Sequence, residues 1–170
     1  GSMTAVIGFD RNQLIELVAN TDEVVIANDN SSTQVVLSGS SKSLNELVGN
    51  LKCKRAIPLN VSGAFHSPFM AEPAQEFSIE LDKINFKQAI FPVVSNSEPT
   101  PTCDSDLLKN RLKQQMINGV RWRETMDLLI NQGVATFVEI GPGNVLSGLI
   151  KRSFKSIDTN QISSAEDLGY

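Results

Sequence analysis

The sequence predicts an α/β protein, and three features carry that reading. Short β-branched runs alternate with stretches whose apolar residues recur at helical spacing. Turn-forming Gly, Pro, Asn and Ser cluster between these segments. Residues 3–60 also read as two similar strand–helix units, whereas later strands and helices simply alternate, the arrangement that builds a largely parallel sheet.

The elements follow in order. "TAVIGF" is a β-type run. "DRNQLIELVAN" is a helix with Asp10 as N-cap, Gln13 three residues on, and Leu14, Leu17 and Val18 on one face. "EVVIAN" and "TQVVLSG" flank "DNSS", a turn signal, and should form a hairpin. "SSKSLNELVGNLK" stacks Leu44, Leu47, Val48 and Leu51 on a helical face, and "KRAIPLNV" is a further strand. The order βαββαβ is the ferredoxin-like pattern, so residues 1–60 are expected to form a small domain of that kind.

Beyond residue 60 the helix "PAQEFSIELDKI" puts Ala74, Phe77, Leu81 and Ile84 on one stripe, with Pro73 suited to its first turn. "FPVVSN" is a short buried strand, and the Pro-rich "SEPTPTCDSD" leads into a helix, "DLLKNRLKQQM", with Leu108 and Leu112 stacked. "RWRETMDLLINQG" turns Trp122, Met126, Leu129 and Ile130 inward and ends on Gly133 as its cap. "VATFVEI" is a strand, and Gly141-Pro142-Gly143 turns into the helix "NVLSGLIKRSF". Residues 61–157 thus form the larger α/β part, and residues 158–170 a loose polar tail.

Composition excludes several functions. The chain has 170 residues, 41% hydrophobic, with 15 Lys plus Arg against 19 Asp plus Glu and a net charge of −4. No basic run suggests a nucleic-acid footprint, and no apolar stretch approaches the roughly 18–20 residues that span a bilayer. Cys53 and Cys103 lie far apart with no Cys/His ligand spacing, so no metal site is expected and reduced thiols in the cytoplasm are the expectation. "GSMTAVIGFD" lacks the basic and apolar regions of a signal peptide.

The only histidine, His66, lies in "NVSGAFHSPFM", after a strand and before a Ser-Pro helix start. Ligand crevices of open α/β sheets lie at the carboxyl ends of strands. A nearby helix N-terminus favours neutral imidazole, the form a general base needs. The small neighbours Gly63, Ala64 and Ser67 let a ligand approach, although a loop histidine serves equally well as a hydrogen-bonded structural residue. Gln115 shares the face of Leu108 and Leu112. Unpartnered there, it would cost about 1–3 kcal/mol, so it either staples the core or faces a cleft.

The spacing of Gly141, Gly143 and Gly148 fits neither GxGxxG nor GxxxxGK[ST], which leaves Gly143 as a tight turn feeding a helix and implies no nucleotide cofactor. Arg121, Arg123, Lys151, Arg152, Lys52, Lys54 and Arg55 are solvated faces or docking points for an acidic partner. No GxSxG elbow is present, and neither cysteine has an activating neighbour.

The strings "VVIANDNSSTQVVLSG", "AIPLNVSGAFHSPFM", "PVVSNSEP", "LKQQMINGVRW" and "FVEIGPGNVLSGLIKR" resemble, in that order, the C-terminal half of the malonyl-CoA:acyl carrier protein transacylases. The resemblance covers all but about the last dozen residues. It implies an α/β-hydrolase-like acyltransferase domain interrupted by the ferredoxin-like domain. It implies transfer of malonyl from malonyl-CoA, through a seryl-enzyme, to the phosphopantetheine thiol of acyl carrier protein in fatty-acid biosynthesis. His66 of "GAFHS" takes the role of general base, with its other ring nitrogen held by a backbone carbonyl at the position of Gln115. Phe65 takes the place associated with malonyl rather than methylmalonyl use.

The family's GQGxQ loop, GHSxGE serine elbow and carboxylate-binding arginine have no match in this sequence. The chain is therefore expected to hold the base-bearing half and to be inactive alone. The alternative is a non-catalytic module that binds the carrier protein, or an inactive fragment.

Overall fold

The computed structural model describes residues 1–169, in two compact units that divide between Thr125 and Met126. The first begins with β1 (Ser2–Phe9), α1 (Arg11–Ala19), β2 (Val24–Ser31), β3 (Gln34–Gly39), α2 (Ser41–Asn50) and β4 (Cys53–Pro58). The strands form one antiparallel sheet in the order β2-β3-β1-β4. The helical stripes seen in the sequence fill its main core: Leu14, Leu44, Leu47 and Leu51 pack with Val6, Val24, Val35 and Leu37. Met3, Ala27 and Val36 form a smaller buried cluster with Ala5 and Leu59.

Both helices are capped by side chains, Asp10 as expected and Ser40 in addition. The Asp10 carboxylate accepts from the Gln13 amide at 2.9 Å, and the Ser40 hydroxyl accepts from the Ser43 amide at 3.3 Å. The Gln13 side chain does not complete a capping box. It spans to the end of α2 instead, donating to the Asn50 carbonyl at 3.1 Å and accepting from the Lys52 amide at 3.0 Å.

The hairpin turn lies at Ser32 and Thr33, later than "DNSS" suggests, because Asp29 and Ser31 still pair with β3 while residues 27–29 also pair on the outer edge of β2. The Asp29 amide donates to the Val120 carbonyl at 2.9 Å, and the Val120 amide donates to Ala27 at 2.7 Å. The register shifts between Ile26 and Asn28 and between Asp29 and Ser31 absorb this second partner.

After β4 come a loop over residues 59–67, a short 3-10 turn at Pro68–Met70, then α3 (Ala71–Asp82), α4 (Ser105–Gln114) and α5 (Trp122–Asn131). Ala74 and Leu81 of the α3 stripe are buried, whereas Ile84 lies beyond the helix end and is exposed. "FPVVSN" is not the buried strand expected. Val93 makes a single antiparallel bridge with Thr102, and Ile90 and Phe91 are 89% and 77% exposed. Pro92 and Pro101 precede the two bridging residues, and neither has an amide to extend the ladder.

The second unit holds β5 (Thr136–Ile140), α6 (Val145–Ser153) and β6 (Asp158–Ile162). β5 and β6 pair in parallel from Thr136 with Asp158 to Ile140 with Ile162. The segment read as a loose tail from Asp158 is thus a strand followed by a 3-10 turn at Ala165–Leu168. Main-chain bonds hold it with a single apolar side chain, Ile162, in the strand: the Asp158 amide donates to Ala135 at 3.0 Å and the Gly141 amide to Ile162 at 2.9 Å. Gly133 ends the preceding helix at φ 89°, its amide donating to Ile130 at 2.9 Å, a conformation glycine adopts without a Cβ penalty. Among the described residues no helix is long and apolar enough to cross a membrane.

Candidate active site

The loop leaving β4 is anchored where the Leu59 amide donates to the Met3 carbonyl at 2.9 Å. It then folds back on itself around Ser67, which is 1% exposed. The Ser67 hydroxyl donates to the Ala64 carbonyl at 2.5 Å and accepts from the Phe69 amide at 3.3 Å, capping the turn that Pro68 opens. His66, inside this knot, has φ 57° and is the one non-glycine residue with positive φ among the described residues. A residue with a Cβ costs roughly 1–2 kcal/mol in that region. Such strain persists where the surroundings over-determine the backbone, and it clusters at functional sites.

The ring of His66 is half-buried, and its Nδ1 lies 2.8 Å from the Gln115 carbonyl oxygen. A carbonyl accepts and cannot donate, so Nδ1 carries a proton, and in the neutral ring it is Nε2 that keeps its lone pair. The carbonyl is available because Gln115 is the C-cap of α4, where the last carbonyls have no intrahelical donor. The preceding Gln114 carbonyl accepts from the Ile117 and Asn118 amides and the Asn118 side chain, which leaves Gln115 as the carbonyl that meets the imidazole.

The structure therefore brings His66 and Gln115 together through the main chain of the glutamine. Gln115 is among the residues that line a hollow of about 340 Å³, with Phe86, Val93, Leu108 and Leu112. Phe65 is 38% exposed, and its ring lies over Gly63, where an added Cβ would meet it at 3.7 Å.

Several of the basic residues weighed as docking points are occupied. Arg123 pairs with Asp29 at 2.9 Å, as does Arg11. Arg121 pairs with Glu124, which lowers the Glu124 pKa and raises that of Arg121. Lys52, Lys54 and Arg55 are exposed at or beside β4. Among the described residues no cluster of His, Cys, Asp and Glu has the makings of a metal site.

Sequence reasoning passed over Glu139, in "EIGPG". Its carboxylate receives the Leu146 amide at 3.0 Å and the Ser147 amide at 2.8 Å, capping α6 across the glycine turn. Hydrogen bonds from the Ser147 side chain and backbone hold its pKa below the usual carboxylate value. The sequence carries no signal for it, since Asn144 is itself a favourable cap residue and stands at the N-cap of α6, yet makes no cap bond.

Residues 1–170 match the family model of the acyl transferase domain. Over 168 residues the chain is 46% identical to a malonyl CoA-acyl carrier protein transacylase from Synechocystis sp., covering 99% of this chain and 57% of the relative. The crystal structure of a Synechocystis malonyl-CoA:ACP transacylase matches with a TM-score of 0.94 at 46% identity, covering 99% of this chain and 58% of that one. A malonyl CoA-acyl carrier protein transacylase from Bacillus subtilis is 38% identical over 175 residues, covering 99% of this chain and 55% of the relative. A structure of a type II PKS acyl-carrier protein in complex with its malonyl-transacylase matches at 30% identity and a TM-score of 0.88, covering 98% of this chain and 56% of that one. The chain spans somewhat more than half the length of these relatives, and it belongs to the acyl transferase domain family.

Proposed function

We propose that this chain provides the general base of a malonyl transferase that moves malonyl from malonyl-CoA to acyl carrier protein in fatty-acid synthesis. The observation that carries the reading is the bond from His66 Nδ1 to the Gln115 carbonyl, which leaves Nε2 as the basic nitrogen. In the first half-reaction a serine hydroxyl gives its proton to Nε2 as its oxygen attacks the thioester carbon. The tetrahedral adduct collapses, the carbon–sulfur bond breaks, and the coenzyme A sulfur leaves with the proton from Nε2. In the second, the phosphopantetheine thiol gives its proton to Nε2 and attacks the seryl ester, and the serine oxygen recovers that proton.

The Gln115 carbonyl orients the ring, as the carboxylate does in a Ser-His-Asp triad. The serine of a GHSxGE elbow matches no motif of this sequence, so on this reading it comes from a companion polypeptide or a longer chain, and the 170 residues alone are inactive. The sheet order β2-β3-β1-β4 supports reading residues 1–60 as a ferredoxin-like domain, and on this reading the rest belongs to an α/β-hydrolase-like domain. The exposed Lys52, Lys54 and Arg55 suit an acidic carrier protein. The cysteines, neither in a disulfide, suit a cytoplasmic setting.

The test is His66→Ala in the transferase reconstituted with the serine-bearing half. Turnover is expected to fall about 10²–10⁴-fold, the usual worth of a general base, with carrier-protein binding little changed. Undiminished turnover overturns the assignment.

A further inference from the structure

The carbonyl that meets His66 is followed closely by a segment with an unusual number of restraints. Five residues after Gln115, Val120 lies against the outer edge of β2 and bridges to Asn28 in parallel. Its amide donates to Ala27 at 2.7 Å, its carbonyl accepts from Asp29 at 2.9 Å, and the next amide, of Arg121, donates to Asn96 at 2.7 Å. Gly119 is required at this crossing, since a Cβ there would stand 2.5 Å from the Ile26 carbonyl oxygen.

Asp29 fastens the same place with its side chain. Arg11 reaches it with both terminal nitrogens, at 2.9 and 3.1 Å, and Arg123 reaches it with Nε at 3.0 Å. The carboxylate, 13% exposed, thus ties α1, β2 and the first turn of α5 around residues 118–121. A carbonyl at a helix end takes its direction from the backbone that follows it, and here that backbone is fixed within four residues.

We infer that residues 118–121, fastened by Asp29 and admitted by Gly119, are the positioning element that keeps the Gln115 carbonyl on His66 and so holds the imidazole in its Nδ1-protonated tautomer. This rests on the reading of His66 as the base. Neither Asp29 nor Gly119 touches the imidazole in this account; both act through the carbonyl.

A single histidine makes the test direct. In the chain labelled with ¹⁵N-histidine, the two ring nitrogens give one pair of signals, read at about pH 8.5, where an ordinary imidazole is neutral. The unaltered chain is expected to show a protonated Nδ1 and a bare Nε2. Free neutral histidine in water prefers the opposite tautomer. Gly119→Ala and Asp29→Ala are each expected to move the ring toward that solution mixture. Lys113→Gln, which removes the ion pair from α4 to Asp82 of α3, should leave the ring unchanged.

An unshifted ring in either folded variant overturns the inference, as does an equal shift in Lys113→Gln. Should Gly119→Ala fail to fold, Asp29→Ala decides. The readout is independent of turnover, so a failed base assignment and a failed positioning element are told apart.

Discussion

Replacing His66 by Ala or by Gly removes the same imidazole but should have opposite structural consequences. Both variants lose the hydrogen bond to the Gln115 carbonyl, worth about 0.5–1.5 kcal/mol. Alanine keeps a Cβ at φ 57° and so keeps a backbone cost of roughly 1–2 kcal/mol. Glycine escapes that cost but loses about 0.5–1 kcal/mol through the greater freedom of its unfolded chain. The Gly variant should therefore be more stable than the Ala variant by about 0.5–1 kcal/mol and lie close to the parent. At most positions the order is the reverse. With a urea m-value of about 1–3 kcal/mol/M, the unfolding midpoints should differ by a few tenths of a molar, readable by circular dichroism. An Ala variant as stable as the Gly variant would refute the claim that the imidazole contact holds a strained backbone. In the reconstituted transferase both variants should be equally inactive, which separates the strain from the proton transfer.

Three more outcomes follow from the site. Gln115→Ala leaves the main-chain carbonyl in place, so turnover should fall by no more than a few-fold; a loss as deep as that of His66→Ala would shift the role to the side chain. Phe65→Ser should raise methylmalonyl relative to malonyl use by about 10–200-fold, the worth of one methyl group in an apolar pocket, and an unchanged ratio in competition assays would remove Phe65 from the specificity determinants. The lowered pKa of Glu139 has a sign: its cap contributes fully above the unfolded carboxylate value and is lost as pH falls through the lower folded value. Stability measured from pH 6 down to about pH 2 should accordingly decline less steeply in Glu139→Gln than in the parent, and superimposable slopes would count against the cap.

The parts of the fold that were legible are those governed by side-chain periodicity. Leu14, Leu44 and Leu47 show their spacing in the sequence, and each is buried where that spacing aims it. The misread parts depend on main-chain partners distant in sequence. β2 runs through Asp29 and Asn30, turn-formers by type, because Val120 pairs with its edge 91 positions away from Asp29. "FPVVSN" has the composition of a strand but lacks an amide at Pro92, as its bridging partner segment does at Pro101, while "DTNQI" is mostly polar and still a strand because β5 offers it carbonyls and amides. A local window sees the residue types and not the partner.

The same division runs through the candidate site. The imidazole was evident as the only one in the chain, and the residue family it resembles supplied a role for position 115. What composition and spacing did not show is that His66 is held in a left-handed backbone by a serine knot, or that the carbonyl opposite it is the end of α4. The contact to that carbonyl uses no side-chain atom of Gln115, so the chemistry constrains where the peptide lies more tightly than which residue carries it. The residues that set such a peptide are then its neighbours: Gly119, by having no Cβ, and Asp29, by gripping two arginines, neither of which bears any mark of catalysis in the sequence. For a base oriented by main chain, substitutions that move the backbone should harm the site more than substitutions of the residue whose carbonyl it uses.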